Sequence, residues 1–151
     1  MKISKYRNVR VYTDDNLNIV PRGKHTITFD SKLEYQQALA LEHGRKAGKI
    51  TWWRRCTMQD AWDFSRFGYR TATRYTPDFV LEIDGKKIWI ECKGYNYRGS
   101  LTKLRRAINH FPDRQLFVRT RTGLFTASEY IEEEKRKKRV MKKLRKEGVR
   151  R

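Results

Sequence analysis

Arg74 to Lys93 reads RYTPDFVLEIDGKKIWIECK. Two alternating runs, Arg74 to Ile83 and Lys86 to Lys93, flank Asp84-Gly85. Asp-Gly between such runs is the strongest short hairpin signal, because a two-residue type I′ turn needs positive φ at both central positions. With that turn Ile83 faces Lys86, and carrying the register back along the ladder places Asp78 opposite Glu91. Glu91 and Lys93 are two apart and share a face, whereas Ile88, Ile90 and Cys92 point the other way and are joined there by Phe79, Leu81 and Ile83. The hairpin is therefore expected to have one core side and one side on which two carboxylates and an ammonium converge. Directly opposed carboxylates destabilise a strand pair, so something positive is expected between them.

Outward from the hairpin, Ser31-x-x-Glu34 has the form of a capping box and opens a predicted helix carrying Leu33, Ala38, Ala40 and Leu41, ending near His43-Gly44 or Gly48. Ile50 to Arg55 reads as a short strand, and Cys56 to Thr73 as an irregular stretch containing Trp62, Phe64, Phe67 and Tyr69. After Gly94 a loop leads to a helix capped by Ser100, with Leu101, Leu104 and Ile108 on one face, halted by Pro112. Arg114 to Thr120 is the next predicted strand. A last helix begins at Ser128, where Glu132, Glu133 and Glu134 each precede a cation, Arg136, Lys137 and Lys138, by four residues. The division expected is an N-terminal arm over residues 1–30 with at most a short strand, a core over 31–131, and a basic helix or tail over 132–151.

Charge narrows the class of partner. Lys and Arg number 36 against 17 Asp and Glu in 151 residues, a formal net charge of +19, and solubility alone does not call for so much. Lys135 to Arg151 holds eleven Lys or Arg and one Glu. Nucleic acid fits better than a membrane, since no stretch approaches the roughly 18 apolar residues of a spanning helix. Neither signal peptide nor lipid anchor is apparent, so the cytoplasm is the expected location. Cys56 and Cys92 lack zinc-site spacing, and His25, His43 and His110 are scattered, so any metal should be held by oxygen.

Two carboxylates suit Mg²⁺, with Mn²⁺ as a substitute, because Mg²⁺ prefers one or two carboxylates, several waters and substrate phosphate to a full protein cage. Phosphodiester hydrolysis is the reaction such a site fits, with Lys93 orienting a water or neutralising transition-state charge. The same residues also read as a solvated Glu-Lys pair on an exposed sheet face.

Pro77-Asp78 and Glu91-Cys92-Lys93 resemble the two halves of the PD-(D/E)XK nuclease motif. Tyr75-Thr76-Pro77-Asp78-Phe79 and Glu91-Cys92-Lys93-Gly94 look like the corresponding segments of the bacteriophage endonuclease I type of Holliday-junction resolvase. Phe29 to Glu34 resembles the start of that family's first helix, and Lys5 to Asn8 resembles the Lys-Tyr-Arg-Asn opening of small phage and prophage nucleases of the same superfamily. The resemblance implies an α/β (α+β) fold with a restriction-endonuclease-like core: N-terminal helix, mixed sheet with a central antiparallel hairpin, helix, further strand and basic C-terminal helix. It implies at most two metal ions held by Asp78, Glu91, the Cys92 backbone carbonyl and Glu34, with Lys93 and Glu34 joining Asp78 and Glu91 as catalytic candidates. It also implies cleavage leaving a 5′-phosphate, a homodimer, and a role in phage recombination or replication in the host-cell cytoplasm. The resemblance does not extend to the Cys56 to Thr73 insert or to the basic tail.

DNA, branched in the resolvase reading, is the expected partner. Arg54, Arg55, Arg70 and Arg74 are interleaved with aromatics and suit stacking on bases and holding phosphates, though the same aromatics suit a lid over the sheet. Arg98, Lys103, Arg105 and Arg106 follow the active-site strand closely and are expected beside the cut. Two other readings stand beside the branched-DNA endonuclease. One is a sequence-specific restriction-like or homing endonuclease, or the cutting subunit of a transposase; the other is a basic nucleic-acid-binding protein without catalysis.

Overall fold

The computed structural model describes residues 9–94 and 100–148. Its centre is the hairpin: β6 (Phe79–Ile83) and β7 (Lys86–Cys92) pair antiparallel, with Ile83 opposite Lys86 and Phe79 opposite Ile90. Asp84 and Gly85 have φ of 50° and 76°, the two positive values that the turn requires. The first arm is shorter than expected. Arg74–Tyr75 forms β5, which leaves the hairpin and pairs with β4 (Trp62–Asp63), giving the irregular stretch a two-stranded ribbon of its own.

β3 (Trp52–Arg55) pairs antiparallel with β6 on one flank of the hairpin. On the other flank β7 runs parallel to β8 (Gln115–Arg119), and α2 (Ser100–His110) makes the crossover that parallel strands need. β9 (Leu124–Thr126), which no sequence pattern announces, closes that edge, so the mixed sheet has the order β3-β6-β7-β8-β9. With α1 (Lys32–Lys46) and α3 (Ala127–Lys146), the fold is mixed α and β, as expected.

The sheet is covered on both faces, which corrects the expectation of a single core side. On one face Phe79, Leu81 and Ile90 pack with Ala38 and Leu41 of α1 and with Val11, Leu17 and Phe29. Those last residues belong to an N-terminal ribbon, β1 (Val11–Thr13) with β2 (Ile27–Phe29), and its turn, so residues 9–30 help build the core instead of forming a loose arm. On the other face Leu116 and Val118 pack with Leu101, Leu104 and Ala107 of α2, with Tyr130 and Ile131 of α3, and with Trp62, Phe64 and Tyr75 of the insert.

Of the two expected N-caps, Ser31 takes the cap position, whereas Ser100 is already the first helical residue of α2. Ser31 caps α1, accepting the Glu34 N–H at 3.1 Å. α3 begins one residue early under a capping box of Thr126 and Glu129 and continues unbroken through the boundary expected at residue 132. The glutamates of α3 bond cations three residues on, Glu132 to Lys135, Glu133 to Arg136 and Glu134 to Lys137, not four. No helix among the described residues is long and apolar enough to cross a membrane.

Candidate active site

The ladder of the hairpin ends at Phe79 and Ile90, one pair short of the predicted Asp78–Glu91 pair. The Asp78 N–H donates to the Ile90 carbonyl at 3.0 Å, where continued register would have it face Glu91. Asp78 is nonetheless fastened to the end of β7, because its Oδ2 accepts the Cys92 N–H at 2.7 Å. A third tie comes from the next strand, the Cys56 N–H donating to the Asp78 carbonyl at 2.9 Å. Pro77, fully buried, precedes it. A proline fixes φ and has no N–H to offer a ladder, so the break in pairing falls where the chain can accommodate it.

Glu91 is buried at the sheet's centre, between β6 and β8. Its Oε1 takes the Lys93 ammonium at 2.7 Å and its Oε2 the Tyr75 hydroxyl at 3.1 Å. The Glu91 and Lys93 side chains are only 10% and 12% exposed, so solvent screens this pair far less than a surface one. Burial, then the adjacent Glu91 carboxylate, push the Tyr75 phenol well above its ordinary range, so it stays a donor. In the sequence Tyr75 stands out only as part of a motif; its bond to Glu91 depends on β5 folding back across the sheet, which no local pattern announces.

Burial and the Glu91 carboxylate also raise the Asp78 carboxyl well above the usual carboxylate range, with Glu34 adding to the rise and the Cys92 N–H and Lys93 opposing it. Asp78, Glu91 and Lys93 thus share one electrostatic neighbourhood, without the directly opposed Asp78–Glu91 pair that the spacing predicted. Glu34 lies at its margin. It completes the cap of α1, accepting from the Asp30 N–H at 3.3 Å and the Ser31 hydroxyl at 3.3 Å, and burial raises its own carboxyl.

Among the described residues no three His, Cys, Asp or Glu side chains converge on one point as a complete protein cage for an ion would. Two carboxylates, one of them driven towards protonation by burial and by the other, are what the end of the hairpin could offer an ion. That set suits Mg²⁺, which takes most of its shell from water and phosphate. Neither thiol competes: burial pushes Cys56 up to about 12 and Cys92 higher still, so both stay protonated.

The basic candidates divide by what they already hold. Both terminal nitrogens of the Arg54 guanidinium bond Asp60 at 2.6 Å, fixing the short turn after β3. Arg106 donates to the Thr71 and Ala72 carbonyls at 2.6 and 3.0 Å and stacks on Tyr69 at 3.6 Å, clamping the insert onto α2. Those two, expected at DNA, already hold partners within the protein. Arg55 lies over the Phe29 ring at 4.7 Å and lowers Glu34 electrostatically, beside the site. Arg70, Arg74, Lys103 and Arg105 are exposed. Arg98 and the Lys5 to Asn8 segment lie outside the described residues. The aromatics of the insert serve as the lid: Trp62 and Phe64 are buried, Trp62 meeting Tyr75 and Trp89 edge to face at 5.5 and 5.4 Å.

No protein-family model, curated protein or solved structure matches this chain.

Proposed function

We propose that the protein is a divalent-cation-dependent DNA endonuclease of the PD-(D/E)XK type, hydrolysing phosphodiester bonds at Asp78, Glu91 and Lys93. The observation that carries this reading is the buried meeting of two carboxylates and one ammonium at the end of the central hairpin, in a chain of net charge +19. A binding protein for a polyanion has no use for buried acids at such a place, whereas a hydrolase needs them.

Mg²⁺ held by Asp78, Glu91 and the Cys92 carbonyl would supply Lewis-acid polarisation of the phosphodiester and a nucleophile at neutral pH. The chain's own groups supply the rest. Lys93, 2.7 Å from Glu91, is placed to orient the attacking water and to neutralise charge growing on the phosphate. Tyr75 holds the second Glu91 oxygen and so sets the direction of the first. The Trp62, Phe64 and Tyr75 layer keeps bulk water off the Glu91 face, which strengthens every charge interaction there. We further propose a preference for branched DNA, which rests on the likeness of the Tyr75 to Phe79 and Glu91 to Gly94 segments to junction resolvases.

Incubating the protein with a four-way junction and a matched linear duplex, in Mg²⁺ or EDTA, tests both parts. The expected result is Mg²⁺-dependent cutting, faster on the junction, and slowed by at least about 100-fold in Lys93→Ala, the scale on which removal of one transition-state interaction acts. Unchanged cutting by Lys93→Ala would remove the site assignment. Equal cutting of both substrates would remove the branch preference alone.

A further inference from the structure

A cleft of about 830 Å³ opens beside the candidate site, between the β8–β9 loop and the first turns of α3. Lys93 forms its inner end, and Arg121, Thr122, Phe125, Tyr130 and Lys137 line it further out. The sheet register sets its distance from the chemistry. Glu91 pairs with Val118 and Val118 with Phe125, so Glu91 and Phe125 stand in one row on one face, two strands apart. At the usual strand spacing that is about 10 Å, on the order of one nucleotide step from a phosphate at Lys93.

Phe125 is 36% exposed although it sits in a strand of the main sheet. Its ring tip lies over Gly123, where an added Cβ would come within 3.6 Å of the ring, so the turn props the ring and leaves it open towards the cleft. Arg121 is exposed at the rim, and Lys137 of α3, paired with Glu134, lines the cleft as well. The acids bordering the cleft are engaged: Glu129 accepts the Thr126 N–H at 2.9 Å, Glu133 pairs with Arg136 at 2.7 Å, and Glu134 with Lys137 at 3.3 Å.

An exposed aromatic face beside an arginine is an arrangement that stacks an unpaired base while holding its backbone. We propose that this cleft receives one unpaired nucleotide of the DNA, its base stacked on Phe125, adjoining the phosphate placed at Lys93. The inference rests on the nuclease reading for the position of that phosphate and deepens it by naming the substrate feature. A stacked duplex presents a single base to a recess only by unpairing and unstacking it, so a bulge, fork or junction is favoured over linear DNA.

The test is equilibrium binding in EDTA of a duplex carrying one unpaired 2-aminopurine, against the same duplex with that base paired, read by 2-aminopurine fluorescence. Parent protein and Phe125→Tyr, which keeps the ring, are expected to quench the unpaired base. Phe125→Ala is expected to abolish the quenching and to bind the unpaired substrate about tenfold more weakly, with its binding of the paired duplex unchanged as a control for folding. Absent quenching in the parent, or full quenching by Phe125→Ala, overturns the proposal. Because no cutting is needed, the two readings fail separately. A parent that quenches through Phe125 but cuts nothing keeps the cleft and removes the nuclease; one that cuts through Lys93 without quenching does the reverse.

Discussion

Asp78 is held at a cost. Its carboxyl is raised by burial and by Glu91, so between the unfolded value near 3.8 and the raised folded value the native state binds more proton than the unfolded one. Stability conferred by that proton is full below the unfolded value and is lost as pH rises through the folded one. Above the unfolded value, without a divalent ion, keeping Asp78 in this place therefore costs the fold stability. Asp78→Asn keeps an acceptor for the Cys92 N–H and removes the charge, so it should melt higher than the parent at pH 7 in EDTA. Each kcal/mol relieved corresponds to about 2–4 °C in Tm for a chain of this size. The difference should shrink as pH falls towards 3.8, and Mg²⁺ should raise the Tm of the parent but not of the variant. Equal melting at pH 7 would show that the acid is not under strain. Activity and stability would pull in opposite directions at this residue, as they do where a site is built for a ligand.

The element that governs the site is the β6–β7 hairpin, and its turn carries a checkable energy. Gly85 sits at φ 76° with open space around an added Cβ, so Gly85→Ala tests backbone strain alone. A left-handed non-glycine residue costs about 1–2 kcal/mol, which predicts a fall in Tm of about 2–8 °C with no loss of DNA affinity; a neutral substitution would mean that the turn is not of this type. This hairpin was also the most legible part of the sequence. Asp84-Gly85 dictated the register from Ile83–Lys86 to Phe79–Ile90, and Asp78, just past that ladder, reaches the end of β7 through the Cys92 N–H. Illegible was whatever depends on tertiary partners. β5 pairs with β4 across the insert, β9 is only three residues long, and the β1–β2 ribbon joins Val11–Thr13 to Ile27–Phe29 across a long connection. The Glu91 face also looked solvent-bound because its alternation is partly polar, yet α2 and α3 cover it, and Tyr75 reaches Glu91 from outside the ladder.

Across the whole molecule, charge and packing separate along α3. Its buried residues are Ala127, Tyr130 and Ile131, all in the first two turns. From Lys135 to Lys146 the helix carries nine Lys or Arg and buries nothing. The first turns thus complete the sheet and border the cleft at Phe125, while the rest projects charge. A polyanion gripped by such a segment releases condensed counterions, and the affinity so gained falls with salt at a slope of about 0.9 per phosphate neutralised. Removing Lys138 to Arg151 leaves every buried side chain of α3 and the cleft-lining Lys137 in place, so the truncated protein should melt within a few degrees of the parent. Its affinity for DNA should drop at low salt, its slope of log affinity against log salt should shrink by about 0.9 for each phosphate no longer held, and its cutting rate at saturating DNA should hold. An unchanged slope would mean that α3 beyond Lys137 does not meet the backbone and that DNA is held by Arg55, Arg70, Arg74, Lys103 and Arg105 around the site. A collapse of the saturated rate would instead place the distal helix in the chemistry, which the 2.7 Å Lys93–Glu91 ion pair and the row from Glu91 to Phe125 make unnecessary.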